Sequence, residues 1–258
     1  MSESIYQITK DMLADPVIRR LIEADVERTL YWTPDWDASF YIELACAGFI
    51  ATAYPHPEMG AILLPEIQAE YAILDWENLI LSKKLRKLLR SGRIEEEGIE
   101  LRVADSPELV AERIIDYHEP ETWLLSPYCQ LLRELPTGAQ SNFSVHGIEL
   151  WSTQENLLIA GELGYSVGRS YTSLTGFCTR PDRRWRNFGT LQIVLLAREL
   201  ERRGYDYWNL GHPQLTYKLT LGAIKTPRDQ LLDRLALAKE GAPAISLGDS
   251  REPARTHA

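Results

Sequence analysis

One carboxylate lies among small residues in a segment whose alternation is typical of a β-strand. The run LIAGELGYS places Ala160, Glu162, Gly164 and Ser166 on one face of an extended chain. Small neighbours leave room for a ligand, and a carboxylate in that position can take a proton from an attacking amine. Glu162 is therefore a candidate catalytic base. The alternative is a solvent-facing glutamate or one that pairs with an arginine.

A polar turn follows the apolar run of residues 205–210, where another strand is predicted to end. Asn209 and His212 are further candidate catalytic residues there, and Gln214 lies beside them. Histidine can act as a base or hold a substrate carbonyl, whereas an asparagine amide can only form hydrogen bonds. Tyr217 can donate a proton to a leaving group. The alternatives are a turn histidine without a partner and a tyrosine that packs in the core.

Two basic stretches are candidates for contact with phosphate groups. SKKLRKLLRSGR is predicted to form a helix with a basic face and with Leu85, Leu88 and Leu89 turned inward. RPDRRWRN brings several guanidinium groups to the start of the next helix, where phosphates can bind. The candidate nucleic-acid or phosphate-binding residues are Lys83, Lys84, Arg86, Lys87, Arg183, Arg184 and Arg186. In both stretches the alternative is a solvated surface.

The composition is that of an ordinary globular protein and argues against several classes. The 258 residues are 45% hydrophobic and 25% charged, and no apolar run is long enough to span a membrane. A net charge of −9 argues against nucleic-acid binding driven by the overall field of the protein. The three cysteines are far apart, so we expect neither a disulfide nor a metal site. Residues 1–10 lack the pattern of a signal peptide, and we expect a cytoplasmic protein.

The first part of the chain is predicted to be a smaller α/β domain. Helical spacing predicts helices within residues 1–30 and from about Asp37 to Ala47. The run GAILLPEIQAEYAILD predicts two short strands broken at Pro65. We therefore assign residues 1–80 to this N-terminal domain, ahead of the basic helix.

The second part is predicted to be a larger α+β domain. Three extended runs, SVHGIELW, LLIAGELGYSVG and RSYTSLTGFCT, predict an antiparallel meander. A long helix, one more strand and a final helical region of two segments complete the order β-β-β-α-β-α, which predicts a mixed, mostly antiparallel sheet flanked by helices. Acyltransferases of the GNAT type bind the acyl donor in a notch of such a sheet, and we expect Glu162 to face that notch openly. We assign residues 81–240 to this GNAT-like domain and expect a disordered tail over residues 241–258.

Several motifs occur in an order that is known from one family. HGIELW, LIAGELGYSVG and TLGAIKTPRDQLL resemble the motifs H-S-(V/I)-E-V-W, L-V-G-G-x-Y-G-V-x-x-G and S-L-G-A-x-x-I-x-R of the leucyl/phenylalanyl-tRNA–protein transferases. The matching positions are His146, Glu149, Trp151, Gly161, Gly164, Gly168, Leu221, Gly222, Ala223 and Arg228. ETWL, AGFI and the basic stretch after Ser82 resemble further segments of that family, and the likeness is collinear over roughly residues 30–235.

The resemblance implies a reaction and its partners. In that family an aminoacyl group moves from aminoacyl-tRNA to the N-terminal amine of a protein that begins with Arg or Lys, a step of N-end-rule degradation, without a metal or redox cofactor and without a membrane. The chemistry is aminolysis of an ester, so the attacking amine must be neutral and the leaving 3′ oxygen must be protonated or otherwise stabilised. The residues that we predict to bind substrate are Trp123, His146, Ser173, Thr175, Gln214 and Tyr217.

The chain departs from the family at the acidic positions. Leu174 or Thr175 occupies the position of a family glutamate, and Asn209 and Gly211 occupy those of an aspartate and a glutamine. These replacements carry no negative charge and take no proton near neutral pH. We therefore expect slow transfer to an N-terminal arginine unless Glu162 compensates. Two alternatives stay open: a GNAT-type N-acyltransferase that uses acyl-CoA or a carrier-protein donor, and a catalytically silent relative that only binds.

Overall fold

The N-terminal segment folds into short helices and two small sheets in the computed structural model, which describes residues 5–137, 142–179 and 183–241. Its elements are β1 Tyr6–Gln7, α1 Lys10–Ala14, α2 Pro16–Ala24, β2 Tyr31–Trp32, α3 Ala38–Cys46, β3 Ile50–His56 and β4 Gly60–Glu66. Strands β1 and β2 pair in parallel, and β3 and β4 form an antiparallel hairpin. The helices predicted from spacing in this segment are confirmed.

Pro65 does not break a strand, and the prediction of a break there is wrong. Strand β4 runs through Pro65, which lies opposite Ala51 of β3. Two residues earlier, Leu63 directs its N–H away from β3, to the carbonyl of Thr33. Pro65 has the same orientation, because orientation repeats every second residue of a strand. The missing N–H of the proline therefore costs the hairpin no hydrogen bond.

Among the described residues, seven strands form one mixed sheet. They are β5 Glu70–Leu74, β6 Ile99–Val103, β7 Phe143–Ser152, β8 Leu157–Val167, β9 Ser170–Cys178, β10 Tyr207–Asn209 and β11 Ile224–Pro227. Their order is β11-β5-β10-β9-β8-β7-β6, and each neighbouring pair is antiparallel except β9 with β10. The predicted α+β fold with a mixed, mostly antiparallel sheet is confirmed.

Helices cover both faces of this sheet. They are α4 Lys83–Leu89, α5 Arg93–Glu96, α6 Pro107–His118, α7 Ser126–Glu134, α8 Phe188–Arg202, α9 Thr216–Thr220 and α10 Arg228–Lys239. Helices α3, α6, α7 and α10 pack on the face that carries Leu163, Tyr165 and Val167 of β8. Helix α8 packs on the other face, against Ile148 and Tyr171, and α4 and α5 lie beside it. We call these the α6 face and the α8 face of the sheet.

Strands β9 and β10 separate after three residue pairs. Residues 170–172 pair with residues 207–209, after which β10 ends while β9 continues to Cys178. We call the region between β9 beyond Thr172 and the turn of residues 210–212, where the two strands no longer pair, the notch of this sheet. It lies where the GNAT-like arrangement predicts it, beside the strand that follows the long helix.

An extra residue in β9 lies at the start of the notch. Ser173 pairs with Gly164 of β8, but the next pair joins Thr175 to Leu163, so Leu174 has no partner in the ladder. A bulge of this kind bends a strand and increases its twist. The bulge therefore coincides with the separation of the two parallel strands.

Four strands of the sheet, β5, β6, β10 and β11, come from outside the predicted meander. Strand β5 lies between β10 and β11 and is antiparallel to both, and β11 is not predicted from the sequence. Since β5 precedes residue 80, the sheet itself includes residues from before the predicted boundary; the division into 1–80 and 81–240 stays a prediction. Beyond residue 241, the predicted tail lies outside the described residues.

Arg228 connects the last helix to the N-terminal segment, which gives this motif residue a structural role. Its guanidinium is buried. It donates hydrogen bonds to the carbonyl oxygens of Ile22, Glu23, Asp25, Ile67 and Gln68. These bonds satisfy backbone groups that would otherwise be buried without partners.

Candidate functional site

The carboxyl group of Glu162 is buried at the start of the notch. The residue is only 9% exposed, and its Oε1 accepts hydrogen bonds from Ser173 Oγ at 2.8 Å and from Tyr171 Oη at 3.2 Å. Ser173 Oγ in turn accepts a hydrogen bond from Trp208 Nε1 at 2.8 Å. Because Ser173 directly follows the last residue of β9 that pairs with β10, this network joins both strands at the point where they separate.

Burial changes the protonation of this carboxyl group. It raises the pKa of Glu162 to about 7, although the hydrogen bonds from Ser173 and Tyr171 act in the opposite direction. Near neutral pH the group therefore exists in both forms and can accept or release a proton. The expectation that Glu162 faces an open notch is wrong, because its face of β8 is covered by the layer that contains Tyr171, Trp208 and helix α8. Access from the notch leads through Ser173, which is half-buried.

Thr175 lies on the other face of the sheet. It pairs with Leu163, whose side chain belongs to the core on the α6 face, and Leu174 packs against the same core. Paired residues share a face, so the structure brings Ser173, but not Thr175, to Glu162. Glu162 therefore does not replace the family glutamate from the same side of the sheet.

Asn209 and His212 shape the turn after β10. Asn209 is buried, and its Oδ1 accepts a hydrogen bond from the Gly211 N–H at 2.8 Å. The Nδ1 of His212 accepts one from the Gln214 N–H at 3.1 Å, while the Gln214 side chain is exposed. Each predicted catalytic side chain thus uses one polar atom to hold the turn. The roles of Asn209, His212 and Gln214 in catalysis or binding stay predictions.

Tyr217 lies on the short helix that follows this turn. Half of its surface is exposed, yet burial around its hydroxyl and the negative charge of Glu162 raise the pKa of Tyr217. Its phenol is therefore protonated at neutral pH and close enough to Glu162 to interact with it. The structure therefore places Tyr217 near Glu162, as two of the predicted site residues.

His146 lies beside the Glu162 network, with its ring centroid 6.1 Å from that of Tyr171, whereas Trp123 lies in the core on the α6 face. His146 is buried, with Nε2 hydrogen-bonded to Ser166 Oγ at 3.0 Å, and burial together with Arg203 lowers its pKa to about 4. It is therefore neutral at physiological pH and suits a structural role. Trp123 packs edge-on against Tyr128, with ring centroids 4.9 Å apart, in the core on the α6 face. Their roles as substrate ligands stay predictions.

The sequence analysis missed three side chains of this region. Trp208 and Tyr171 read as core aromatics, and only the pairing of β9 with β10 brings them to Ser173 and Glu162. Lysine side chains usually lie at the surface, yet Lys218 is buried. Its Nζ donates a hydrogen bond to the His212 carbonyl oxygen at 2.8 Å. The apolar residues of β10 were the one feature of the sequence that could have indicated burial here. The three residue types alone did not indicate a place in the site.

The two basic stretches form one surface beside the α8 face. Helix α4 exposes Lys83, Lys84, Arg86 and Lys87 and buries Leu85 and Leu88, as predicted, in a core shared with Trp185 and Phe188. Arg93 Nη2 donates a hydrogen bond to the Arg184 carbonyl oxygen at 2.9 Å, which fixes the two stretches together.

Arg184 differs from the other basic residues of this surface. Its guanidinium forms ion pairs with Glu97 and Glu155, so its charge is largely offset. Arg183 and Arg186 are exposed. A phosphate role is therefore weaker for Arg184 than for its two neighbours.

The described residues offer no cluster of three or more histidine, cysteine or acidic side chains that could hold a metal ion. Within the same ranges, none of the helices combines the length and the apolar character needed to cross a membrane.

The shifted carboxyl group predicts how stability depends on pH. In the unfolded chain Glu162 ionises near 4.5, whereas the folded protein keeps its proton up to about pH 7. The folded state therefore loses about 3 kcal/mol of stability as pH rises through this window, and the loss is complete above it. The Glu162→Gln variant has no carboxyl group at this position, so its stability does not fall for this reason as pH rises. Between pH 4.5 and 7.5 the unfolding free energy of the variant should gain about 3 kcal/mol relative to wild type, measured by denaturant titration.

The matched control for this measurement is Glu77→Gln, a change at an exposed glutamate. Its unfolding free energy should not show the relative gain of about 3 kcal/mol that is expected for Glu162→Gln between pH 4.5 and 7.5. The absence of this gain in Glu162→Gln as well would contradict the burial of an ionisable Glu162.

Solved structures with a similar chain path have low sequence identity to this chain. One is L-PGS from Bacillus licheniformis, with 13% identity and a TM-score of 0.45 over 87% of this chain and 77% of that one. The C-terminal domain of a putative lysylphosphatidylglycerol synthetase from Agrobacterium fabrum has 15% identity and a TM-score of 0.40 over 88% and 78%. A GCN5-related N-acetyltransferase from Kribbella flavida has 11% identity and a TM-score of 0.36 over 88% and 76%. At these values the similarities carry no information on the activity of this chain.

The match to a family model is more extensive. No curated protein sequence is significantly similar to the chain. The model described as leucyl/phenylalanyl-tRNA protein transferase, however, matches residues 73–236, which is more than half of the chain and includes every strand of the notch. The chain therefore belongs to the leucyl/phenylalanyl-tRNA protein transferase family.

Proposed function

We propose that this protein transfers an aminoacyl group from the 3′ ester of an aminoacyl-tRNA to an amine of a protein or peptide in the cytoplasm. The observation that supports this best is the buried carboxyl of Glu162, hydrogen-bonded to Ser173 where β9 leaves β10. Membership of the family supports the class of donor.

Ser173 connects the base to the notch. Its hydroxyl donates to Glu162 and accepts from Trp208, which leaves one oxygen lone pair for a substrate N–H. The attacking nitrogen passes its proton to Ser173, and the proton of the serine moves to Glu162. Glu162 thus acts as a base through Ser173, and its pKa of about 7 suits this task at neutral pH.

The leaving group also needs a proton. The nitrogen forms its bond to the ester carbonyl carbon, the bond from that carbon to the 3′ oxygen breaks, and the oxygen takes up a proton. Tyr217 is protonated because burial around its hydroxyl and the charge of Glu162 raise its pKa, and we assign this donation to it. The proton held by Glu162 then restores Tyr217, so the enzyme returns to its starting state.

The basic surface supports a nucleic-acid donor. Helix α4 and the turn before α8 lie together on the side of the sheet where Glu162 and Ser173 lie. Exposed lysines and arginines neutralise phosphates and release counterions, which gives affinity without sequence recognition. A local surface of this kind allows tRNA binding despite the net charge of −9.

One feature favours a second candidate, a GNAT-type N-acyltransferase that uses acyl-CoA. The bulge at Leu174 lies in the strand that precedes α8, and this 15-residue helix begins directly after Arg186 and Asn187. A helix start beside an arginine suits a pyrophosphate. Parallel assays with leucyl- or phenylalanyl-tRNA and with acetyl-CoA distinguish the two donors.

Removing the base should slow the reaction. Glu162→Gln should lower the single-turnover rate of transfer from charged tRNA to a peptide amine by roughly 10²–10⁴-fold, because the amide cannot take a proton. Ser173→Ala should cause a comparable loss, because it removes the connection to Glu162. Glu77→Gln serves as the control and should leave the rate unchanged. Full activity of both site variants would refute the proposed role of this network.

The basic helix should contribute to tRNA affinity. Replacing Lys83, Lys84 and Lys87 by Glu should weaken tRNA binding and reduce the slope of log K against log salt by ~0.9 or less for each lost phosphate contact. Filter binding over a range of salt concentrations measures both quantities. Lys225→Glu, at an exposed lysine of β11, should change neither. If affinity and slope are also unchanged in the triple variant, the tRNA binds elsewhere.

A further inference from the structure

Lys218 is a buried cation that forms no ion pair with the residues that the structure describes. It is only 6% exposed, and its Nζ donates one hydrogen bond, to the carbonyl oxygen of His212. No carboxylate within the described ranges forms an ion pair with it. An ammonium carries three N–H donors and a full charge, so burial against one carbonyl leaves most of its solvation unreplaced. Such a group is stabilised when an anion binds beside it.

The ammonium lies at the wall of the notch that follows β10. A Cβ atom on Gly211 would be 3.9 Å from Lys218 Nζ. Gly211 comes two residues after Asn209, which pairs with Thr172, the last residue of β9 before the notch. Lys218 and Ser173 therefore belong to opposite walls of the same opening.

Asn209 adds a second donor to this wall. Its Oδ1 accepts a hydrogen bond from the Gly211 N–H, so the Nδ2 group is the part of this amide that can donate. Asn209 lies on the face of β10 opposite to Trp208, because successive side chains alternate. The turn thus presents an ammonium and an amide NH₂ group, both of which are donors.

The described side chains that border Lys218 and the facing part of β9 are uncharged. Ile50 lies 3.3 Å from the position of a Gly211 Cβ, and Thr172, Leu174 and Thr175 lie on the facing strand β9. Glu162 is held on the α8 face by Ser173 and Tyr171. Among these residues, Lys218 is the source of positive charge beside the turn.

We infer that Lys218, together with Asn209, binds a carboxylate next to the amine that is acylated, so that the preferred acceptor is a peptide that begins with an acidic residue. This inference rests on the proposed transfer reaction. A carboxylate brings one charge and two acceptor oxygens, which match one ammonium and one amide. A phosphate carries more charge than one ammonium offsets, and the cluster of exposed lysines and arginines that suits phosphates lies beside the α8 face.

The test compares peptides that differ only in their first residue: Asp, Asn or Arg. With wild-type protein, kcat/KM for transfer to the Asp peptide should exceed that for the Asn peptide by at least about 10-fold, because the two side chains differ in charge and hardly in shape. Lys218→Met should bring the two values to within about twofold. Lys239→Met is the matched control, since Lys239 also donates to a single carbonyl, that of Cys46 at 3.0 Å, and lies on α10. It should keep the preference.

Several results would overturn the inference. Equal rates for Asp and Asn peptides with wild-type protein would do so without any variant. A preference that survives in Lys218→Met would do the same, as would a loss of tRNA affinity in that variant with an unchanged peptide preference. If no peptide is acylated, the proposed function fails, and fluorescence anisotropy of the same labelled peptides decides the inference alone. Tighter binding of the Asp peptide that Lys218→Met abolishes supports it, and equal binding overturns it.

Discussion

The proposed chemistry of this chain depends on the separation of β9 from β10 after three residue pairs. The last pairs bring the Trp208 indole beside Tyr171, and the first residue beyond them, Ser173, receives the indole N–H and donates to Glu162. Had the two strands stayed paired, the bulge at Leu174 and the turn of residues 210–212 would not border an opening. A polar group buried mid-sheet becomes useful only because the strands part at that residue.

The separation also divides the work between the two faces of the sheet. In the proposed reaction, protons move through Glu162 and Ser173 on the α8 face and through the nearby Tyr217. In the inferred anion site, the donors are Lys218 and Asn209, and Asn209 lies on the α6 face. The family glutamate and aspartate positions fall on this second face, as Leu174 or Thr175 and as Asn209. The absence of these acids removes negative charge from the notch, and Lys218 adds a positive charge there, so both differences make the notch more positive.

Local patterns in the sequence predicted the elements and part of the site. Alternation along β8 separated Leu163 from Glu162 correctly, and helical spacing in α4 identified the inward Leu85 and Leu88. The position of β5 beside β11 was not predictable in this way, because Ile73 and Ile224 pair across most of the chain. The burial of Glu162 and Lys218 was also not predictable from local patterns. Residues of β9 and β10 cover Glu162. Lys218 lies on a five-residue helix, and its side chain turns back to the His212 carbonyl of the preceding turn. The bulge at Leu174 also moved Thr175 to the face away from Glu162, a shift that simple alternation does not contain.

The titration of the Glu162 side chain is the most direct test of this account. ¹³C NMR of protein labelled at the glutamate carboxyl carbons, with the resonance assigned by its absence in Glu162→Gln, reports the protonation of this one group. The account predicts a midpoint of about 7, because the carboxyl is buried beneath Ser173 and Tyr171. A midpoint at or below the ordinary value of 4.5 would contradict it, since the carboxylate would then hold its charge in a solvated place and could not act as a base poised at neutral pH.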